Sequence, residues 1–243
     1  SSVLDAPVEK AGMKVVAGMR YRVRITGLTA SVSHALLEAF AARRPNLWEL
    51  DRHCFTVERV DCDEGIDPSS GYATYEQLVE DRLKGGRRLS KTIPLHFASP
   101  VSFNSNGVQV PMPMPDYLFG SLVERWNTFS EHTLKPDFRQ FARANIVVSY
   151  FDMKSRPVRH KNGSMRMGGV GQTTYRVLDT DYLVTAHILA DFAKFAGVGV
   201  QTTTGMGQCW RVPVASSQTR TNGRPTPTVA FEQKNGVASA LTI

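Results

Sequence analysis

Between residues 197 and 207 the chain reads Gly197-Val198-Gly199-Val200-Gln201-Thr202-Thr203-Thr204-Gly205-Met206-Gly207, a pattern suited to holding an anion. Glycine admits φ > 0 and close approach to the backbone, and successive N–H groups in such turns form a nest for phosphate. The hydroxyls of Thr202, Thr203 and Thr204 add further donors. The same spacing also suits a helix C-cap running into a tight turn. A second constellation is basic: Lys154, Arg156, Arg159, His160, Lys161 and Arg166 surround an Asn162-Gly163 turn, where a strand ribbon would project dense positive charge. Arginine grips phosphate with two parallel bonds, whereas lysine acts as a point charge. The competing reading is a solvated edge that charge protects against aggregation.

Histidine supplies proton chemistry near neutral pH. His34 falls near the start of a predicted helix, His96 in a strand, His160 in the basic hairpin and His187 on an apolar helix face, where a core role is expected. Cys54, Cys62 and Cys209 form no CxxC pair, so neither a disulfide framework nor a zinc site is expected, and no cofactor is implied.

These residues need elements to hold them. Leu95 to Phe103 reads as a strand bent at Pro100. A helix capped by Asp116 follows, with Leu118, Leu122, Val123 and Trp126 on one face. Residues 146–153 and 172–178 pattern as a long hairpin with glycines at 168, 169 and 171. Asp179 or Thr180 can cap a last helix carrying Leu183, His187, Ile188, Leu189, Phe192 and Phe195, and the glycine loop leads into a strand at Cys209 to Val212. The order is β-α-β-β-α-β, that of a ferredoxin-like or RNA-recognition (RRM-like) module. Before residue 94 the pattern gives a strand at 19–27, a helix at 31–42, a strand at 54–61 and a short helix at 75–83, fewer elements than such a unit needs. The expected division is therefore an incomplete N-terminal unit over 1–93, a C-terminal unit over 94–214 and a flexible Ser/Thr/Pro-rich tail over 215–243.

The segment from Phe192 to Gln208 resembles the C-terminal signature of the CRISPR repeat-processing endoribonucleases, the "Cas six" branch of the RAMP superfamily. Further segments resemble it in order: Tyr21 to Leu28, Tyr75 to Leu78, Leu95 to Pro100, Leu118 to Leu122 with Trp126-Asn127, and Arg156-Pro157-Val158. The resemblance implies an α+β fold of two tandem ferredoxin-like domains with RNA on the basic surface between them. It implies metal-independent cleavage of precursor CRISPR RNA, in which a ribose 2′-OH attacks the neighbouring phosphate to leave a cyclic phosphate. Repeat RNA and other RAMP subunits of an effector complex are the implied partners, and a non-catalytic RAMP subunit is the runner-up. In many relatives the catalytic histidine lies on or near the opening helix. Either that helix precedes this sequence, or the helix at 31–42 is the one and His34 is the candidate. Lys154, Arg156, Arg159, His160, Lys161 and Arg166 would grip an RNA stem. Gly197, Gly199, Gln201, Thr202, Thr203, Thr204, Gly205 and Gly207 would hold the strand near the scissile bond.

Composition fits this. Lys and Arg total 29 against 22 Asp and Glu, a net charge of +7 and a pI near 9.5, which favours a polyanionic partner. No apolar run reaches membrane-span length and the N-terminus has no signal core, so a soluble, cytoplasmic protein is expected. A nucleotide-binding enzyme fits poorly, because its glycine loop runs from strand into helix and here the order is reversed.

Overall fold

The computed structural model describes residues 2–5, 8–9, 12–13, 15–41, 47–50, 52–84, 89–159, 164–212 and 237–242. In the N-terminal part, β1 (Ser2–Asp5) pairs antiparallel with β4 (Arg22–Gly27), and the short ribbon β2 (Val8–Glu9) and β3 (Gly12–Met13) lies between them in sequence. Helix α1 (Ala30–Ala41) follows, then the ribbon β5 (Leu47–Leu50) and β6 (His53–Thr56), and then β7 (Gly71–Thr74). Thr74 starts α2 (Tyr75–Leu83) with a capping box. Its hydroxyl accepts from the Gln77 amide at 3.0 Å, and its own amide donates to Gln77 Oε1 at 2.8 Å.

The C-terminal part opens with β8 (Thr92–Val101) and the small ribbon β9 (Phe103–Ser105) and β10 (Val108–Val110). Next come α3 (Pro115–Phe129), α4 (Phe138–Asn145), β11 (Ile146–Arg159), β12 (Met165–Val177), α5 (Leu183–Ala196), a 3-10 turn at Thr202–Thr204 and β13 (Cys209–Arg211). Strand β14 (Val237–Thr242) is the last element. The sheet order β11-β12-β8-β13, antiparallel throughout, is that of the expected β-α-β-β-α-β unit with the first and third strands central.

Helix α5 is apolar on nearly every side, and Leu183, Ala186, Ile188, Leu189, Ala190, Phe192, Ala193 and Phe195 are all buried. Such a helix needs cover all round. It packs against β8 and β13, α2 and α3 and, through β4 and β14, the other sheet. Tyr75 of α2 enters the same core, edge-on to Trp126 at 5.2 Å between ring centres, and Trp126 meets Phe192 at 5.2 Å. The Tyr75 hydroxyl is kept paired by donating to the Leu28 carbonyl at 2.8 Å.

Several expectations change. Pro115 occupies the first turn of α3, and the cap position is Met114, with no side-chain bond. Asp116 therefore sits inside the helix, where its charge suits the N-terminal dipole. Neither Asp179 nor Thr180 caps α5 through its side chain, since the cap position is Tyr182. The strand expected to reach residue 61 stops at Thr56, and β7 and α4 were not anticipated.

The largest change concerns the tail. Strand β14 inserts between β4 and β7, pairing with both, and gives a second four-stranded sheet of order β1-β4-β14-β7. Its Val-Ala-Ser-Ala-Leu-Thr run offers both neighbours a complete set of backbone donors and acceptors, so a segment read as a flexible tail ends as an interior strand of a sheet. The stretch 213–236 lies outside the described residues.

Candidate nucleic-acid interface

The glycine loop leaves α5 through Gly197 at φ 63°, and Gly199, Gln201, Gly205 and Gly207 follow at φ 75°, 57°, 94° and 68°. Two of these glycines are required by contact as well. A Cβ on Gly199 would overlap the Ser102 carbonyl, and one on Gly207 would overlap the carbonyl of Val198. The loop is laced to itself and to β8. Val198 N–H donates to Gly207 O at 2.8 Å, Gly207 N–H to Pro100 O at 2.9 Å and Val200 N–H to Ser102 O at 2.8 Å. Gly205 and Met206 donate to Thr202 O and Gln201 O, at 3.1 and 3.2 Å.

This lacing takes up most of the amides expected to form an anion nest along Gly197 to Gly207. Gly197, Gly199, Gly205 and Gly207 are buried, and most loop amides are already paired within the protein. What faces outward is the turn Thr202–Thr204, against which β1 packs. Thr204 Oγ1 donates to the Gln201 carbonyl at 3.0 Å, so the hydroxyls of Thr202 and Thr203 are the better placed for a ligand.

Two arginines hold the loop and its flanks. Arg125 of α3 donates to the carbonyls of Gly197, at 3.1 Å, and of Gly199. Arg24 of β4, only 5% exposed, donates to Ser69 O at 2.8 Å, to Gln208 Oε1 at 2.6 Å and to the Lys194 carbonyl, and its guanidinium lies 5.8 Å from the centre of the Trp210 ring. Burial pulls the Arg24 pKa down to about 10, against the opposing pull of Asp67, so the group stays charged at neutral pH. Arg125 thus ties the start of the loop to α3, and Arg24 ties the residues flanking it to β4.

Beside it, a cavity of about 340 Å³ is lined by Phe103, Tyr117, Glu124, Arg125, Arg139 and Gly199, among others. Gly120 explains one wall. A glycine inside a helix costs about 1 kcal/mol relative to alanine, yet any Cβ at 120 would overlap the Arg139 guanidinium, which lies across α3 and is paired with Glu124 at 2.6 Å.

The basic ribbon forms as expected and is longer, 146–159 against 165–177. Its register pairs Lys154 with Val170, Arg156 with Gly168 and Val158 with Arg166. Paired residues share a face and alternate along a strand, so Lys154, Arg156 and Arg166 line one face, all exposed. Arg159 closes the strand opposite Met165. Its side chain, together with His160, Lys161 and the Asn162-Gly163 turn, lies outside the described residues.

The histidines separate by environment. His187 is 3% exposed, with Nε2 2.8 Å from the Ser90 carbonyl and Nδ1 2.8 Å from Arg211 Nη2. Burial, reinforced by the Arg211 charge, pushes its pKa down to about 4, so it is a neutral core residue as anticipated. His96 is half-buried on β8, tilted against Trp210 with ring centres 5.4 Å apart, and burial lowers its pKa as well. His34 is half-buried on α1, which packs on β4 and β14. Among the described residues no cluster of His, Cys, Asp and Glu could hold a metal ion, and no helix is long and apolar enough to cross a membrane.

Sequence reasoning missed both arginine clamps. Arg24 lies in an ordinary alternating strand and Arg125 beside a helix Trp, and neither position signals burial. The glycine at 120 signals a close approach, but to Arg139 and not to either clamp.

Comparison with known proteins bears on the same region. Residues 95–209, a little under half of the chain, match the family described as CRISPR-associated endoribonuclease Cas6. No curated protein sequence matches the chain. Among solved structures, the product complex of a Thermus Cas6 (TTHA0078) is 25% identical over 72% of each chain, with a TM-score of 0.60. The product complex of Thermus thermophilus Cas6 (TTHB231) shares the fold at 22% identity and a TM-score of 0.68, over 87% of this chain and 81% of the other. A Cas6-related protein of Pyrococcus furiosus shares it at 11% identity and 0.54, over 88% and 77%. The segment that holds both the basic ribbon and the arginine-bound glycine loop is thus the part of the chain that matches the CRISPR-associated endoribonuclease Cas6 family.

Proposed function

We propose that the chain binds the repeats of precursor CRISPR RNA and cleaves within them, using two ferredoxin-like units, 1–93 and 94–214, the first completed by β14. The observation that carries this reading is that the family match, residues 95–209, takes in both the exposed basic ribbon and the glycine loop. On one ribbon face Lys154, Arg156 and Arg166 supply the charge for an A-form stem, whose deep, narrow major groove is read by shape and phosphate position. The Thr202–Thr204 turn, fixed by the Arg24 and Arg125 clamps, offers hydroxyl donors to the strand leaving the stem. A rigid turn matters because in-line attack by the 2′-OH depends on holding the reacting atoms in one geometry.

In this reading the 2′-OH upstream of the scissile phosphate attacks phosphorus, its proton passes to a base, and the 5′ oxygen leaves with a proton from an acid. The products are a 2′,3′-cyclic phosphate and a free 5′-OH, without a metal. His34 is the proposed proton-transfer group. The product remains on the ribbon, where other CRISPR effector subunits can receive it.

The test is a labelled repeat RNA incubated with the protein in EDTA, beside a copy with a 2′-deoxy sugar at the cleavage position. Cleavage of the first alone is expected, and His34→Ala is expected to slow it at least about a hundredfold, the lower end of general acid–base contributions. Cleavage of both RNAs refutes the 2′-OH mechanism. Binding without cleavage favours a guide-RNA scaffold.

A further inference from the structure

The helices cover one face of the sheet β11-β12-β8-β13, and the register fixes what the opposite face carries. Trp210 of β13 pairs with His96 of β8, His96 with Gln172 of β12, and Gln172 with Asp152 of β11. Their sequence neighbours Leu95, Phe97, Thr173 and Cys209 are buried on the helix side, so this row stands on the uncovered side. The next row is Pro94, Thr174 and Tyr150, and the one after is Thr92, Arg176 and Val147. Towards the ribbon tip the same parity continues through Lys154, Arg156 and Arg166.

That face is open. Tyr150 is 51% exposed and Val147 41%, Arg176, Lys154, Arg156 and Arg166 are exposed, and His96 and Trp210 are half-buried beside Arg24. In these rows Asp152 is the one acid against four cations on the sheet and ribbon. The combination is chemically specific. An exposed tyrosine ring and a half-exposed His–Trp pair offer flat π surfaces, and the arginines and lysine beside them offer phosphate contacts. A duplex stem hides the faces of its bases, so it can use the cations and leaves the rings idle. Unpaired nucleotides use both.

We propose that this open sheet face is a second RNA subsite, which takes a single-stranded segment continuous with the stem gripped by the ribbon. Its bases stack on Tyr150 and on the His96–Trp210 pair, and Arg176 and Lys154 hold its phosphates. The subsite rests on the reading of the chain as a repeat-RNA-binding protein, and it makes the unpaired flank of the repeat part of what is recognised.

The experiment measures affinity by fluorescence anisotropy for three labelled probes: a bare repeat stem-loop, and the same stem-loop carrying a single-stranded arm of about ten nucleotides, within the usual site size of stacking platforms, on its 5′ or its 3′ side. One armed probe is expected to bind about tenfold more tightly than the bare one, the equivalent of one well-stacked base. Tyr150→Ala is expected to remove that gain, so that armed and bare RNAs bind alike, and Tyr150→Phe to keep it. Tyr150 is half exposed and makes no core contact, so both variants fold. Photocrosslinking of the armed probe to peptides containing Tyr150 or Trp210 gives an independent readout. Equal affinity for bare and armed probes, or an arm gain that survives Tyr150→Ala, overturns the subsite and leaves the RNA-processing reading intact. Failure to bind any of the three probes overturns both.

Discussion

Acidification should destabilise this protein through His187 in a way that can be calculated. The ring is wedged between a carbonyl at Nε2 and a guanidinium at Nδ1, so the tautomer that fits carries its proton on Nε2 and accepts from Arg211 on Nδ1. Burial already disfavours a second proton, which would set an N–H against the guanidinium, in a site that Arg82 also makes positive; the Ser90 carbonyl bond and Asp191 offset this in part. The folded-state pKa of about 4 lies below the ordinary 6.5. The unfolded chain therefore binds the proton first, and this contribution to stability is complete above about pH 6.5 and is lost as pH falls towards 4. With these two values the loss is about 2 kcal/mol at pH 5 and approaches about 3 kcal/mol below pH 4. The assay is urea unfolding followed by tryptophan fluorescence at pH 8 and pH 5, for the parent and for His187→Gln, which cannot titrate. Carboxylates titrate in both proteins, so the difference in pH dependence isolates the ring. The variant should be weaker at pH 8 and lose about 2 kcal/mol less than the parent on going to pH 5. An identical pH dependence in the two proteins would refute the assignment of His187 as the buried neutral group.

Two further outcomes follow from the loop and its clamps. Gly207→Ala places a Cβ onto the Val198 carbonyl at a positive φ, so it should lower the melting temperature by several degrees, about 1–3 kcal/mol of backbone strain before the clash is counted. RNA cleavage should fall with it, and an unchanged melting temperature would mean that the loop does not pack as described. Arg24→Met keeps the volume and removes the guanidinium's bonds to the Ser69 and Lys194 carbonyls and to Gln208, at about 3 kcal/mol or more, measured by chemical denaturation. A neutral effect would show that solvent reaches those acceptors.

Much of the C-terminal unit was legible because its signals are local. Leu118, Leu122, Val123 and Trp126 keep helical spacing, the hairpin alternates on both sides of a glycine turn, and α5 is apolar enough to mark a buried helix. Helix α4 escaped because Phe-Arg-Gln-Phe-Ala-Arg-Ala-Asn is short and mostly polar, with only Phe138 and Ala142 buried. Strand β7 escaped because four residues after a Ser-Ser pair carry too little period to read. The glycine loop announced where a special backbone would be, but its spacing could not say whether the amides serve a ligand or the fold. They serve the fold largely because Ser102, Pro100 and Gly207, some near and some distant in sequence, present carbonyls to them. Arg24 and its three acceptors come from strand, loop and helix, a convergence that no local pattern encodes.

The position of β14 sets an order of events during synthesis. Strands β4 and β7 leave the ribosome early, yet the partner that both require is encoded at 237–242, after the whole C-terminal sheet. The ribbon, α5 and the glycine loop can all form beforehand, since their strand pairings lie within 92–211. The N-terminal sheet has to wait with two strand edges unpaired, a high-contact-order closure that is slow and leaves those edges open to other chains in the interval. A nascent chain stalled before residue 237 would thus present a finished RNA-binding half joined to an unfinished, aggregation-prone one. The yield of folded protein would then depend on how quickly the final strand is delivered.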